Sequence, residues 1–141
     1  DKFNFKKYFL QNKINGTEYG LDIFNDPKNN VSRTCIKKKI LMRAGETDRS
    51  QVLNDKKIKN FSEKLIKIFN HFGNVDCDII KDKNGKLFLI DINPRFGGGY
   101  PATHLSGMNF LKYLLTDGKF NLPKKYKKIT VAKGISIHSN K

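Results

Sequence analysis

The Asn84-Gly85 dipeptide, set between NVDCDIIKDK and KLFLIDIN, limits what this chain can fold into more than any other feature. Asn-Gly between two strand-like runs is hairpin chemistry, because a tight two-residue turn needs positive φ at both positions. Counting outward from such a turn, Lys83 faces Lys86, Asp82 faces Leu87, Ile80 faces Leu89, Asp78 faces Asp91 and Asp76 faces Asn93. Side chains alternate with period two, so Asp76, Asp78, Asp91 and Asn93 share one face. Val75, Cys77, Ile79, Phe88, Ile90 and Ile92 make the opposite face, fully apolar and suited to pack under helices.

The polar face carries a conflict. Two aspartates directly across a ladder repel each other, and a third carboxylate sits diagonally close. Protons, bulk water or a bound cation can offset this. Hard cations such as Mg²⁺ take carboxylate and amide oxygens, typically one or two carboxylates completed by water and substrate phosphates. Asp78, Asp91 and Asn93 supply that set; on the hairpin alone, an outer face with solvated acids is the competing reading.

The continuation, NPRFGGGYP, favours the cation. Pro94 ends the ladder because it has no N–H to donate. Arg95 follows with a planar fork suited to phosphate oxygens. Gly97, Gly98 and Gly99 let the backbone approach a ligand or leave its amides free. The glycines are not a Walker loop, since no GK[ST] follows, nor a GxGxxG fingerprint. DKNG at 82–85 is too short for an EF-hand loop.

Around this hairpin the chain alternates between strand and helix signals. Residues 5–14 and 18–25 read as strands joined by an Asn15-Gly16 turn, DPKNN at 26–30 is a second turn, and Val31–Arg43 is a third strand. That strand places Cys35, Lys37, Lys39 and Arg43 on one face and Ile36, Ile40 and Met42 on the other. AGETDRS reads as a loop. Asn54 or Asp55 caps a helix reaching about Phe72, with Ile58, Phe61, Leu65, Ile68, Phe69 and Phe72 as its core stripe and Gly73 as its stop. Residues 94–107 read as a loop, 109–116 as a short helix ended by Asp117-Gly118, and 129–137 as a strand. The pattern predicts one α+β domain over 1–141, a largely antiparallel sheet flanked by a long amphipathic helix and a short one.

Composition narrows the function classes. A net charge of +15 suggests nucleic acid, but the lysines are dispersed and no aromatic-basic repeat accompanies them, so a solvated Lys-rich surface is expected. No apolar run reaches the ~20 residues of a membrane helix. The start has no signal-peptide pattern and no initiator Met, which reads as a piece of a longer, cytoplasmic protein. Cys35 and Cys77 lack CxxC spacing and are expected as reduced, buried thiols. His71 is expected to favour the helix dipole, His104 to make a local loop hydrogen bond, and Ser106 to lack a nucleophilic role.

The stretch GNVDCDIIKDKNGKLFLIDINPRFGGGYP resembles the C-terminal lobe of ATP-grasp enzymes, in particular the branch related to the carbamoyl-phosphate synthase large chain. INGTEYGLDIFND is similar to that family's G-x-E strand, and KKKILMRAGETD to the basic strand and loop that follow it. The resemblance implies ATP and Mg²⁺, or Mn²⁺ in its place, as cofactors. It implies Asp78, Asp91 and Asn93 as metal ligands, with Asp91 standing where Glu is commoner. It further implies Arg95 and Arg43 as catalytic and phosphate-facing cations, Glu18 as the ribose carboxylate, Lys39 as a further cofactor-binding cation, and Gln11–Ile14 as the hinge near adenine. The implied activity is an ATP-dependent carboxylate–amine ligase working through an acyl phosphate on small-molecule substrates. An N-terminal lobe would be missing from this chain, and a homodimer is among the assemblies compatible with it. A non-catalytic ATP-grasp-derived binding module and a basic nucleic-acid-binding domain are the alternatives.

Overall fold

The computed structural model describes residues 11–134. Six strands, β1 (Gly16–Asp26), β2 (Val31–Arg43), β3 (Glu46–Leu53), β4 (Gly73–Asp82), β5 (Leu87–Asn93) and β6 (Thr130–Ala132), form one sheet in the order β5-β4-β1-β2-β3-β6. Every pairing is antiparallel. Among the described residues three helices complete it: α1 (Lys56–Phe69), α2 (Tyr100–Leu105) and α3 (Phe110–Leu115). The α+β class and the largely antiparallel sheet hold.

Strand parity divides the core into two layers. Leu21, Ile23, Ile36 and Ile79 point to one face and pack with Ile58 and Leu65 of α1. Each fully buried aliphatic side chain contributes roughly 1.5–3 kcal/mol. Phe24 points to the other face, where it stacks on Phe110 of α3 at 4.9 Å and meets Tyr113 edge-on. Cys35 and Val52 on that same face meet Ala102 of α2. Thus α1 covers one side and α2 and α3 cover one end of the other, leaving the remainder of that face open.

Asp55 caps α1, accepting from the Lys57 and Ile58 backbone N–H groups at 2.9 and 3.1 Å and pairing with Lys81 of β4 at 2.6 Å. The helix ends earlier than its apolar pattern suggests. Asn70, in the left-handed region at φ 42°, is the C-cap, and Gly73 already opens β4. The buried stripe is Ile58, Ser62 and Leu65; Ile68, Phe69 and Phe72 are exposed, against the expected core stripe. At 100° per residue Ile68 lies roughly 80° off that stripe. Ser62 takes its centre because its hydroxyl is satisfied by Thr34 and the Lys59 carbonyl, both at 2.8 Å.

Several other expectations are corrected. Asn15-Gly16 is not a hairpin turn. Residues 11–15 are irregular, 5–10 lie outside the described residues, and Gly16 opens β1 against the β4 backbone, where a Cβ would overlap the Lys81 carbonyl. AGETDRS is mostly strand: Ala44 and Gly45 (φ 49° and 80°) make a tight turn joining Arg43 to Glu46. The alternating polar residues of β3 concealed it. Within 94–107, Pro101 sits in the first turn of α2, where its missing N–H costs nothing. The last strand spans only Thr130–Ala132 among the described residues.

The β4–β5 hairpin departs from the count twice. Its loop has three residues, because Asp82 N donates to the Lys86 carbonyl and Gly85 N to the Asp82 carbonyl. The Asp82 side chain stabilises this wider loop by accepting from Asn84 N and Lys86 N at 2.9 and 2.7 Å. Ile80 therefore pairs with Phe88, not Leu89. A bulge between the Asp78 and Ile79 pairs then restores the expected register, with Asp78 opposite Asp91 and Asp76 opposite Asn93. The two offsets cancel. In consequence Leu87 and Ile92 pack on the core, while Phe88 sits opposite Ile80 and Ile90 is exposed.

Candidate functional site

The open sheet face collects the polar residues. Glu18, Gly20 and Asp22 of β1 share it with Asp76 and Asp78 of β4, by the pairs Gly20–Asp78 and Asp22–Asp76. Lys37 of β2 pairs with Gly20, bringing Lys39 in beside Glu18. Asp91 and Asn93 of β5 complete the row. Together with Met42, Glu46, Thr47, Arg95, Gly98 and Gly99, most of these line a cavity of about 420 Å³. Gly20 lies at its floor with Asp78 Oδ1 and the Lys37 and Lys39 stems around it.

Asp78 and Asp91 face each other directly, as their register requires. Asn93 Nδ2 donates to Asp91 Oδ2 at 2.7 Å, and the Ile92 backbone N–H holds Asp91 Oδ1 at 2.9 Å. That orientation commits the amide nitrogen of Asn93 and leaves its oxygen available as an acceptor. Among the described residues no group of three His, Cys, Asp or Glu side chains is arranged as a metal cage. The donor set is two carboxylates and an amide, which fits an ion that keeps much of its shell as water and phosphate. Local charge fits as well: Glu18, Asp22, Glu46, Asp76, Asp78 and Asp91 outnumber Lys37, Lys39, Arg95 and the Glu46-paired Lys133. In a strongly basic chain, the cavity is an island of negative charge.

Lys39 is the central cation. Its ammonium bridges Glu18 Oε1 at 2.6 Å and Asp78 Oδ2 at 2.9 Å, with its side chain only 8% exposed. Burial alone would lower its pKa, but hydrogen bonds to the two carboxylates outweigh this and hold it above the usual value. Arg95 lines the cavity more loosely, 3.5 Å from Asp76 and bonded to the Phe96 carbonyl at 3.2 Å. Arg43 is not brought in. It is 59% exposed and pairs with Asp48 at 2.9 Å. An irregularity between Lys39 and Leu41 breaks the predicted alternation, so Met42 takes the cavity side in its place. Asn12, Lys13 and Ile14 border a separate hollow of about 770 Å³ with Lys81 and Phe88.

Sequence reasoning missed the buried layer beneath. Lys37 Nζ lies 2.5 Å from Asp22 Oδ2, both side chains essentially excluded from water, and Thr103 of α2 donates to the same oxygen. Asp22 Oδ1 has no partner among the described residues. Next to it, burial raises the Asp76 pKa, opposed by Lys37 and reinforced by Asp22 and Asp78. The signal was present in parity, since Asp22 is two and four residues from Gly20 and Glu18.

The triple glycine acquires individual reasons from this layer. A Cβ on Gly97 would overlap the Asp76 carboxylate, and one on Gly99 would come within 3.1 Å of Lys37 Nζ. Gly98 has only ordinary 3.7 Å neighbours in Glu46.

None of the remaining candidates lines the cavity. His71 Nε2 lies 3.2 Å from the Ile23 carbonyl, outside the helix whose dipole was expected to hold it. His104 is exposed on α2, its side chain without the expected local hydrogen bond among the described residues, and Ser106 is buried, donating to the Thr103 carbonyl at 2.7 Å. Cys35 and Cys77 are buried free thiols, and burial with neighbouring aspartates pushes Cys77 up to about 12, away from thiolate chemistry. No helix among the described residues is long and apolar enough to cross a membrane.

A family profile described as "ATP-grasp in the biosynthetic pathway with Ter operon" matches residues 4–140. No curated protein matches the sequence. Similar solved structures include an ADP complex of N5-carboxyaminoimidazole ribonucleotide synthetase, with TM-score 0.67 and 11% identity over 81% of this chain and 33% of that one. Biotin carboxylase from Campylobacter jejuni, with β,γ-ATP, aligns with TM-score 0.61 and 14% identity over 79% of this chain and 27% of the other. L-amino acid ligase from Bacillus licheniformis gives 0.56 and 17% over 75% and 29%. The chain thus spans between about a quarter and a third of each. These matches do not single out a carbamoyl-phosphate synthase branch.

Proposed function

Because this chain belongs to the ATP-grasp family of the biosynthetic pathway with the Ter operon, we propose that its open sheet face is the magnesium-nucleotide side of an ATP-dependent carboxylate–amine ligase site. The observation that carries this reading is the meeting of Asp78, Asp91 and Asn93 across one hairpin, on the wall of a cavity that also holds Lys39, Lys37 and Arg95. A second lobe of the full-length enzyme would close over the nucleotide, and small carboxylate and amine substrates would enter beside Arg95 and the glycine loop.

Asp78, Asp91 and the Asn93 amide oxygen would hold Mg²⁺, or Mn²⁺, which supplies neutralising charge to the β- and γ-phosphates. Glu18 stands at the start of β1, next to the hollow bordered by Asn12–Ile14, so it would take the ribose hydroxyls and that hollow the base. Lys39 and Arg95 face the space for the γ-phosphate and its acceptor. The substrate carboxylate attacks the γ-phosphorus and ADP leaves. The amine then attacks the acyl carbon, and phosphate leaves as the amine sheds its proton. Oriented charges in a recessed site do most of this work. Arg43, paired with Asp48, would need to turn inward to take part.

The direct test is Asp91→Ala in the full-length enzyme. Nucleotide-dependent turnover should vanish while the melting curve stays near wild type, because Asp91 is exposed and bonds only its own strand and Asn93. Near-normal turnover in that variant would refute the assignment. On this chain, amide shifts upon addition of Mg²⁺ and ADP should cluster at Gly20, Asp78, Asp91–Asn93 and Gly98; shifts confined to the α1 side of the sheet would do the same.

A further inference from the structure

From the placement of Lys39 we infer that this residue is a built-in competitor for the metal, and that it couples metal binding to nucleotide binding. The inference rests on the reading of Asp78 as a metal ligand. Its ammonium holds Asp78 Oδ2 at 2.9 Å while also holding Glu18 Oε1 at 2.6 Å. One cation therefore occupies both carboxylates to which the site gives separate tasks, one for the metal and one for the ribose. Gly20, beneath it, offers no side chain to replace it, and the Lys39 side chain, only 8% exposed, is packed into the cavity wall where it holds both carboxylates.

The consequence is a linkage. A divalent ion arriving alone must share Asp78 with Lys39 or break the ammonium's 2.9 Å bond to that carboxylate without giving it a new partner, so its affinity is held down. A nucleotide changes the balance from both ends. Its ribose hydroxyls compete for Glu18, and its phosphates give the freed ammonium a new partner within the same cavity. Metal and nucleotide then bind together far better than either does alone, and the same residue keeps the empty site neutralised. By reciprocity the metal raises nucleotide affinity by the same factor.

The test is a Mn²⁺ titration of the full-length protein, read as free Mn²⁺ by electron paramagnetic resonance, with and without ADP. Without nucleotide, Lys39→Met should bind Mn²⁺ roughly tenfold or more tightly than wild type, the scale of one hydrogen bond to a charged group. The gain in Mn²⁺ affinity on adding saturating ADP should be smaller in Lys39→Met than in wild type by a similar factor. Lys67→Met, an exposed change in the last turn of α1 on the opposite side of the sheet, should change neither number. Equal Mn²⁺ affinity in wild type and Lys39→Met, or an ADP gain unaltered by the substitution, would overturn the inference and leave the metal site standing. Failure of both proteins to bind Mn²⁺, with Asp91→Asn no different, would overturn the metal reading and this inference with it.

Discussion

Replacing Lys37 with Met tests the buried layer that supports the site. The Lys37 and Asp22 side chains are 3% and 0% exposed, and their charged atoms lie 2.5 Å apart. Thr103 donates to the same Asp22 oxygen, and the other oxygen has no partner among the described residues. Lys37→Met keeps the volume of the stem but leaves a carboxylate in a dry layer with one hydroxyl. Breaking one half of such a pair costs about 3–5 kcal/mol, a large share of the 5–15 kcal/mol typical of a domain. The paired change Asp22→Val/Lys37→Met removes both charges and should cost far less than the sum, giving a coupling of at least ~2 kcal/mol in a double-mutant cycle. Thr103→Val should cost about 1.5–3 kcal/mol, a single bond to a charged acceptor. Urea unfolding followed by circular dichroism, with linear extrapolation, measures wild type, both single variants and the double variant of the cycle, and Thr103→Val. A loss below ~1 kcal/mol for Lys37→Met, or additivity in the cycle, would refute this account of the layer.

The three glycines should separate by position. Gly97→Ala must displace the loop or the Asp76 carboxylate and should cost ~1–3 kcal/mol of overpacking in urea melts, while Gly98→Ala, with 3.7 Å neighbours, should be near neutral. Asp55→Ala removes the α1 cap and the Lys81 pair and should lower stability by about 1 kcal/mol. Burial alone would raise the Asp55 pKa, but Lys81 and the Ile58 and Lys57 N–H groups outweigh it and leave it lowered. Its stabilising contribution is therefore full above the ordinary carboxylate pKa and fades as pH falls through the lower folded value. Stability of Asp55→Ala measured against pH should fall less steeply than wild type on that acid limb.

What the sequence reveals depends on how local the cause is. Asp78 opposite Asp91 could be counted from one turn, and the β2 limits and the Asp55 cap followed from strand alternation and capping chemistry. The right register nevertheless came from a wrong premise, because the Asp82 side chain widens the loop and a bulge undoes the shift. The same sort of irregularity, after Lys39, took Arg43 off the cavity, and a single-strand pattern does not announce it. Ile68, Phe69 and Phe72 looked like core because periodicity reports an apolar face, not the extent of the surface that covers it. The Asp22–Lys37–Thr103 group joins residues up to 81 positions apart, and only the packing of α2 on the sheet brings them together. The triple glycine was read as a ligand approach, yet two of its members are explained by side chains underneath.

The paired offsets in the β4–β5 hairpin make its length a matter of arithmetic. A two-residue turn on Asn84-Gly85 with no bulge, and the three-residue Lys83–Gly85 loop with one extra residue on β5, both set Asp78 opposite Asp91. Turn and bulge can therefore trade one residue without moving the polar pair. Excising Ile90 should close the ladder on the existing Ile79–Leu89 and Asp78–Asp91 pairs, whereas sliding either strand by one residue would turn Asp91 and Asn93 toward α1.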